Sequence, residues 1–146
     1  MTNHQLMWAW LEDANGRLGE AEEQLKQRRY HRVVRLSQEC CELAQKALLA
    51  FCGIDVPKEH HLHQLIGQQP LVRQLPPEVQ KRLFQSSREL SEDRIPSFYG
   101  APDGTPPSVL YNQARAEKAL EQARFVLETV KALIEAAGGQ TKRPEE

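Results

Sequence analysis

The chain has 146 residues, 40% of them apolar and 27% charged, with a formal charge of −1 from 19 Lys+Arg against 20 Asp+Glu. One domain is the expectation at this length, and so even a balance argues against a wholesale polyanion binder while saying nothing of local patches. No run approaches the roughly 18 apolar residues of a membrane span, and Met1–Leu6 has neither the basic start nor the apolar run of a secretory signal. Cys40, Cys41 and Cys52 cannot all pair within one chain, so a reduced, cytoplasmic protein is expected. The nine prolines are uneven: none precedes Pro57, and only Pro144 follows Pro107. Two long proline-free arms flank a broken middle, which disfavours an all-β chain.

Over residues 4–27, Leu11, Ala14, Leu18, Ala21 and Leu25 form one helical stripe. Gly16 and Gly19 cost this helix roughly 1 kcal/mol each relative to Ala, which predicts close packing at both. Residues 30–52 repeat the stripe at Val33, Ser37, Cys40, Ala44, Ala47 and Phe51, and Gly53 suits the position just beyond the helix end. The link Arg28-Arg29-Tyr30 is so short that the two helices must be antiparallel neighbours. A short helix is predicted over His60–Gly67. Pro76-Pro77 open another, striped by Val79, Leu83, Ser87 and Leu90. Asp93–Tyr111 reads as a long Pro- and Gly-rich loop. Asn112 is the expected N-cap of the last helix, striped from Ala116 to Ala137 and ended by Gly138-Gly139. The prediction is all-α: an up-and-down four-helix bundle with an additional short helix over 1–139, and a flexible tail over 140–146.

Glu-x-x-His, which a di-iron bundle needs, is absent, as are a glycine-rich phosphate loop and Cys-x-x-Cys. His60 and His63 could share a helix face with His61 beside them, but no second ligand pair accompanies them. No metal and no cofactor is therefore expected. From Gln24 to Gln38 the chain carries Lys26, Arg28, Arg29, Arg32 and Arg35 without one acid. Arg29 and Arg32 lie at a helix N-terminus, where the dipole disfavours cations by about a few tenths of a kcal/mol. A phosphate-like anion would offset that cost; a solvated corner, or pairing with Glu20, Glu22 or Glu23, is the plainer alternative. On the long loop, Arg94 with Phe98 and Tyr99 could combine phosphate contact with stacking, or the two rings could pack over the bundle end.

The segment from Gln38 to Leu48, with Glu42 and Lys46 flanking small residues, resembles the second-helix signature of HEPN domains. Gly53-Ile54-Asp55-Val56-Pro57 followed by His60, Leu62 and Leu65 is similar to that family's next motif, with His61 where an Asp is usual. Arg94-Ile95-Pro96 resembles its Arg-Tyr-Pro. The likeness keeps this order from about Trp10 to Ala136. It implies a small helical bundle that dimerises, often partnered with a minimal nucleotidyltransferase in a toxin–antitoxin-like module. Other members of the family are metal-independent ribonucleases that use an Arg followed roughly five to seven positions later by a His. No Arg here has a His at that distance. Without it, the Arg has no partner for proton transfer at a ribose 2′-hydroxyl.

The expectation is a non-catalytic HEPN-type binding protein, homodimeric, with a nucleotidyltransferase partner and a nucleotide or nucleic acid as ligand. The alternative is a metal-independent ribonuclease or nucleotide-processing enzyme built on Arg94, Tyr99 and His60. A basic nucleic-acid-binding module is a third. Candidate anion-binding residues are Arg28, Arg29, Arg32, Arg35, His60, Arg94 and Tyr99. The family motif adds Glu42, Lys46, Leu62 and Pro96. Trp8 and Trp10 cannot both face one core and are candidates for the dimer interface.

Overall fold

Thr2 starts the first helix. Its hydroxyl accepts the Gln5 N–H at 3.1 Å while Gln5 Oε1 accepts the Thr2 N–H at 2.9 Å, a reciprocal capping box. The computed structural model describes residues 1–56, 58 and 62–144. Among these lie eight helices: α1 (Asn3–Lys26), α2 (Tyr30–Phe51), α3 (His63–Gly67), α4 (Pro70–Arg73), α5 (Pro77–Glu92), α6 (Pro96–Tyr99), α7 (Pro107–Leu110) and α8 (Gln113–Ala136). Asn112 caps α8, accepting the Arg115 N–H at 2.9 Å, and Pro77 occupies the first turn of α5, both as the sequence predicts.

Side-chain bridges fix the helix directions. Lys131 Nζ donates to Asn15 Oδ1 at 2.6 Å and Arg124 meets Glu22 at 3.3 Å, so α8 runs antiparallel to α1. Arg82–Glu121 and Lys118–Glu89, at 3.6 and 3.3 Å, set α5 antiparallel to α8. Tyr30 Oη donates to Gln113 Oε1, which brings the starts of α2 and α8 together. The result is the expected up-down-up-down bundle, with α2 in contact with each of the other three long helices. Leu48, Leu49, Leu127 and Ile134 are fully buried at its centre, each contributing roughly 1.5–3 kcal/mol.

Three of the long helices end in the same way. After α2, the Gly53 N–H reaches the Ala50 carbonyl and the Ile54 N–H the Leu49 carbonyl. After α8, Gly138 and Gly139 repeat the pattern on Glu135 and Ile134. Gly53 and Gly138 take the required positive φ, 74° and 87°. After α1 the same two bonds form, Arg28 to Leu25 and Arg29 to Gln24, but the left-handed residue is Arg28 at φ 60°.

The structure departs from the sequence expectation at two glycines, in the long loop and before α5. A Cβ added at Gly16 or Gly19 would meet nothing within 4 Å, so neither marks close packing; both face open space on α1. Asp93–Tyr111 is not structureless, since α6 and α7 form there, each opened by a proline. α4 is a further short helix between α3 and α5, and it too starts on a proline. α3 is described from His63, and His60 and His61 lie outside the described residues. Residues 140–143 run back onto α1: Trp8 Nε1–H donates to the Gln140 carbonyl at 2.8 Å and Arg143 meets Glu12 at 3.0 Å. Trp8 and Trp10 are accordingly half-buried against the core and do not form a free face. Among the described residues, no helix is long and apolar enough to cross a membrane.

Candidate binding cleft

The middle of α2 and the short helix α6 enclose a cleft of about 230 Å³, lined by Arg35, Gln38, Glu39 and Glu42 on one side and Arg94, Phe98 and Tyr99 on the other. Local sequence builds the second wall. α5 stops at Asp93, and Pro96 in a first turn starts α6 three residues later, so Arg94 sits in the connecting turn. The N–H groups of Ser97, Tyr99 and Gly100 close that turn on the carbonyls of Asp93, Ile95 and Pro96. Gly100, at φ 89°, ends α6. A Cβ there would lie 2.3 Å from the Thr105 carbonyl oxygen, so only glycine lets the 100–105 turn close beneath the wall.

Asp93 anchors the turn. Its carboxylate pairs with Arg115 at the start of α8 and accepts the Tyr111 hydroxyl at 3.1 Å. Burial, reinforced by the Asp93 charge, pushes the Tyr111 phenol well above its ordinary pKa. Arg115 also donates to Gln122, and Gln122 donates to Glu89. Burial opposes ionisation of Glu89, yet the Gln122 bond and nearby Lys118 hold its carboxyl below the usual range.

Within the cleft the charges are unevenly matched. Glu39 is held by Arg17 at 3.0 Å and Arg35 at 3.3 Å. Glu42 accepts from Gln38 at 3.3 Å and pairs with Lys46 at 3.7 Å. The Arg35 guanidinium lies 3.7 Å over the Phe98 ring, and Phe98 meets Tyr99 edge-on at 4.5 Å. Among the described residues, no carboxylate pairs with Arg94. Tyr99 is 74% exposed and Phe98 46%, so these rings stand at the surface and do not bury themselves over the bundle end. An unpaired guanidinium fork beside an open aromatic face suits a planar ring that carries an anion.

Of the candidate residues, Arg35, Arg94 and Tyr99 converge on this cleft, joined by Glu42 from the family motif. Lys46 supports Glu42, Leu62 is buried in the core, and Pro96 opens α6. His60 lies outside the described residues. Arg28 and Arg29 sit exposed in the α1–α2 link and do not line the cleft. Arg32 faces a separate hollow of about 470 Å³ that Glu20 and Glu23 also line. The basic corner is acid-free along the chain but not in space, because pairing with α1 brings those acids alongside. The Arg17–Glu39 pair and the Arg115–Asp93 anchor left no mark in the sequence, since they depend on where helices meet. Among the described residues, no group of three His, Cys, Asp or Glu could hold a metal ion. Nor do the α2 thiols offer a nucleophile: burial pushes Cys40 up to about 12, against a weaker pull from Lys131.

A sequence model of the HEPN domain matches residues 7–133. Two solved structures share the fold. TT1696 from Thermus thermophilus superposes with a TM-score of 0.75 at 25% identity, over 91% of this chain and 99% of that one. ST0689, described as an archaeal HEPN homologue, gives 0.70 at 26% identity over 86% and 95%. No curated protein matches the chain.

Proposed function

The chain belongs to the HEPN domain family, and from that premise we propose that it is a non-catalytic binding member of the family, working in the cytoplasm as one half of a two-gene module with a minimal nucleotidyltransferase. One observation carries the non-catalytic part: among the described residues no histidine lines the cleft around Arg94, and none follows Arg94 at the ribonuclease spacing. Both cleft carboxylates are already engaged by cations, which leaves Arg94, among the described residues, as a binding group without a proton-transfer partner. The ligand is then a nucleotide or a nucleic-acid end, with phosphate on Arg94 and Arg35 and the base against Tyr99.

Homodimerisation belongs to the same reading. Ile95 before α6 and Val109 and Leu110 on α7 are exposed beside the cleft, and a second copy is the partner the family resemblance supplies. Co-expression with the neighbouring reading frame tests the pairing. A complex with a nucleotidyltransferase is the expected result; failure of any neighbour to co-elute sinks it. Incubation with RNA in chelator tests the alternative, since cleavage that depends on Arg94 would make the protein a ribonuclease.

A further inference from the structure

A second pocket, of about 500 Å³, opens on the other side of α5, between that helix, α2, α3 and α4. Its size is that of a small-molecule site. Ile66 and Leu83 give it an apolar wall, and Phe84 meets His63 edge-on at 5.0 Å, so aromatic surface faces the opening. Phe84 is 38% exposed at the mouth of the pocket.

The polar groups are arranged with a direction. Buried Ser87 spends its hydroxyl proton on Gln45 Oε1 at 2.7 Å. Gln45 Nε2 donates to the Cys41 carbonyl and sulfur, both at 3.1 Å. What Ser87 and Gln45 can still offer the pocket is oxygen lone pairs, so this buried end accepts hydrogen bonds. At the other end stands Lys81; among the described residues it pairs with no carboxylate, and no acid lines the pocket. Lys81 and Ser87 stand six residues apart on α5, about 9 Å along its axis and roughly 120° around it, and both line the pocket. Its volume takes a single aromatic ring with a polar group at each end.

We propose that this pocket binds a small aromatic carboxylate carrying an amine, with the amine donating to the Ser87–Gln45 end, the ring against Phe84 and the carboxylate on Lys81. The site is separate from the Arg94 cleft and stands or falls without it.

Calorimetric titration of the full chain with 4-aminobenzoate, benzoate and aniline tests the proposal. Saturable single-site binding of 4-aminobenzoate is expected, tighter by about tenfold than benzoate, which lacks the donor, and than aniline, which lacks the charge. Lys81→Ala, an exposed substitution, lowers 4-aminobenzoate to the level of aniline and leaves aniline unchanged. The proposal is overturned by absence of saturable 4-aminobenzoate binding, by benzoate binding as tightly, or by full affinity in a folded Lys81→Ala protein.

Discussion

The guanidinium of Arg115 pairs with the carboxylate of Asp93, tying the first turn of α8 to the end of α5 one residue before Arg94. Both side chains are mostly buried, so removing one strands the other in a poorly solvated place. Asp93→Asn is expected to destabilise the fold by about 1–3 kcal/mol and to weaken anion binding at Arg94, which it does not touch directly. Urea unfolding checks the first effect and pyrophosphate titration the second. Unchanged pyrophosphate affinity in a folded variant would mean that the anchor does not position Arg94.

Tyr111, bonded to the same carboxylate, gives the anchor a pH dependence. Its phenol is raised above the ordinary 10.0 by burial and by the Asp93 charge. The folded state therefore holds the proton more tightly than the unfolded chain. The sign follows: the contribution is fully present below pH 10 and falls as pH rises beyond it. The parent should lose stability between pH 10 and 11 more steeply than Tyr111→Phe, measured by urea midpoints at each pH. Parallel curves would show that Tyr111 is not the group responsible.

Arg28 holds a conformation that Gly53 and Gly138 hold elsewhere in the same motif. A Cβ in the left-handed region costs roughly 1–2 kcal/mol, and glycine gives back part of that through its freer unfolded chain. Arg28→Gly is expected to raise stability by about 0.5–1 kcal/mol, seen as a higher urea midpoint at unchanged slope. A lower midpoint would mean that the arginine side chain contributes more than its backbone strain costs.

Glycines separate what a sequence shows from what it hides. The helical stripes made α1, α2, α5 and α8 legible because apolar spacing reports directly on which face is buried. The sequence marks Gly16 and Gly19 as close-packed and Gly139 as a helix end, yet the space around each depends on its neighbours in the fold. At Gly139 a Cβ would lie 2.5 Å from Phe51 Cε1 and 2.7 Å from Ile134 Cγ2. Gly139→Ala should therefore cost about 1–3 kcal/mol, while Gly16→Ala and Gly19→Ala each add about 1 kcal/mol. Thermal melts of the three variants check the contrast, and a neutral Gly139→Ala would show that Phe51 can move aside. The candidate site divides in the same way. Arg94, Tyr99 and Glu42 stood out as residues, but their meeting across α2 and α6 is a product of packing. Arg32, equally prominent in sequence, lines a different hollow with Glu20 and Glu23 of α1.

That division predicts how the arginines differ in binding. Arg94 has no carboxylate among the described residues to release before it takes a phosphate, and Tyr99 stands beside it with its ring open. Arg28, Arg29 and Arg32 lie outside the cleft. With ATP as the probe, Arg94→Ala should weaken binding by about tenfold, the loss of one charge-assisted contact. Tyr99→Ala should weaken ATP by a similar factor through lost stacking but leave pyrophosphate, which has no base, unchanged. The combined Arg28→Ala, Arg29→Ala and Arg32→Ala protein should bind ATP as the parent does. Calorimetry at fixed salt measures all three. If the triple variant alone lost affinity, with a strong salt dependence in the parent, the ligand would belong to the α1–α2 corner and a basic nucleic-acid surface would replace the cleft.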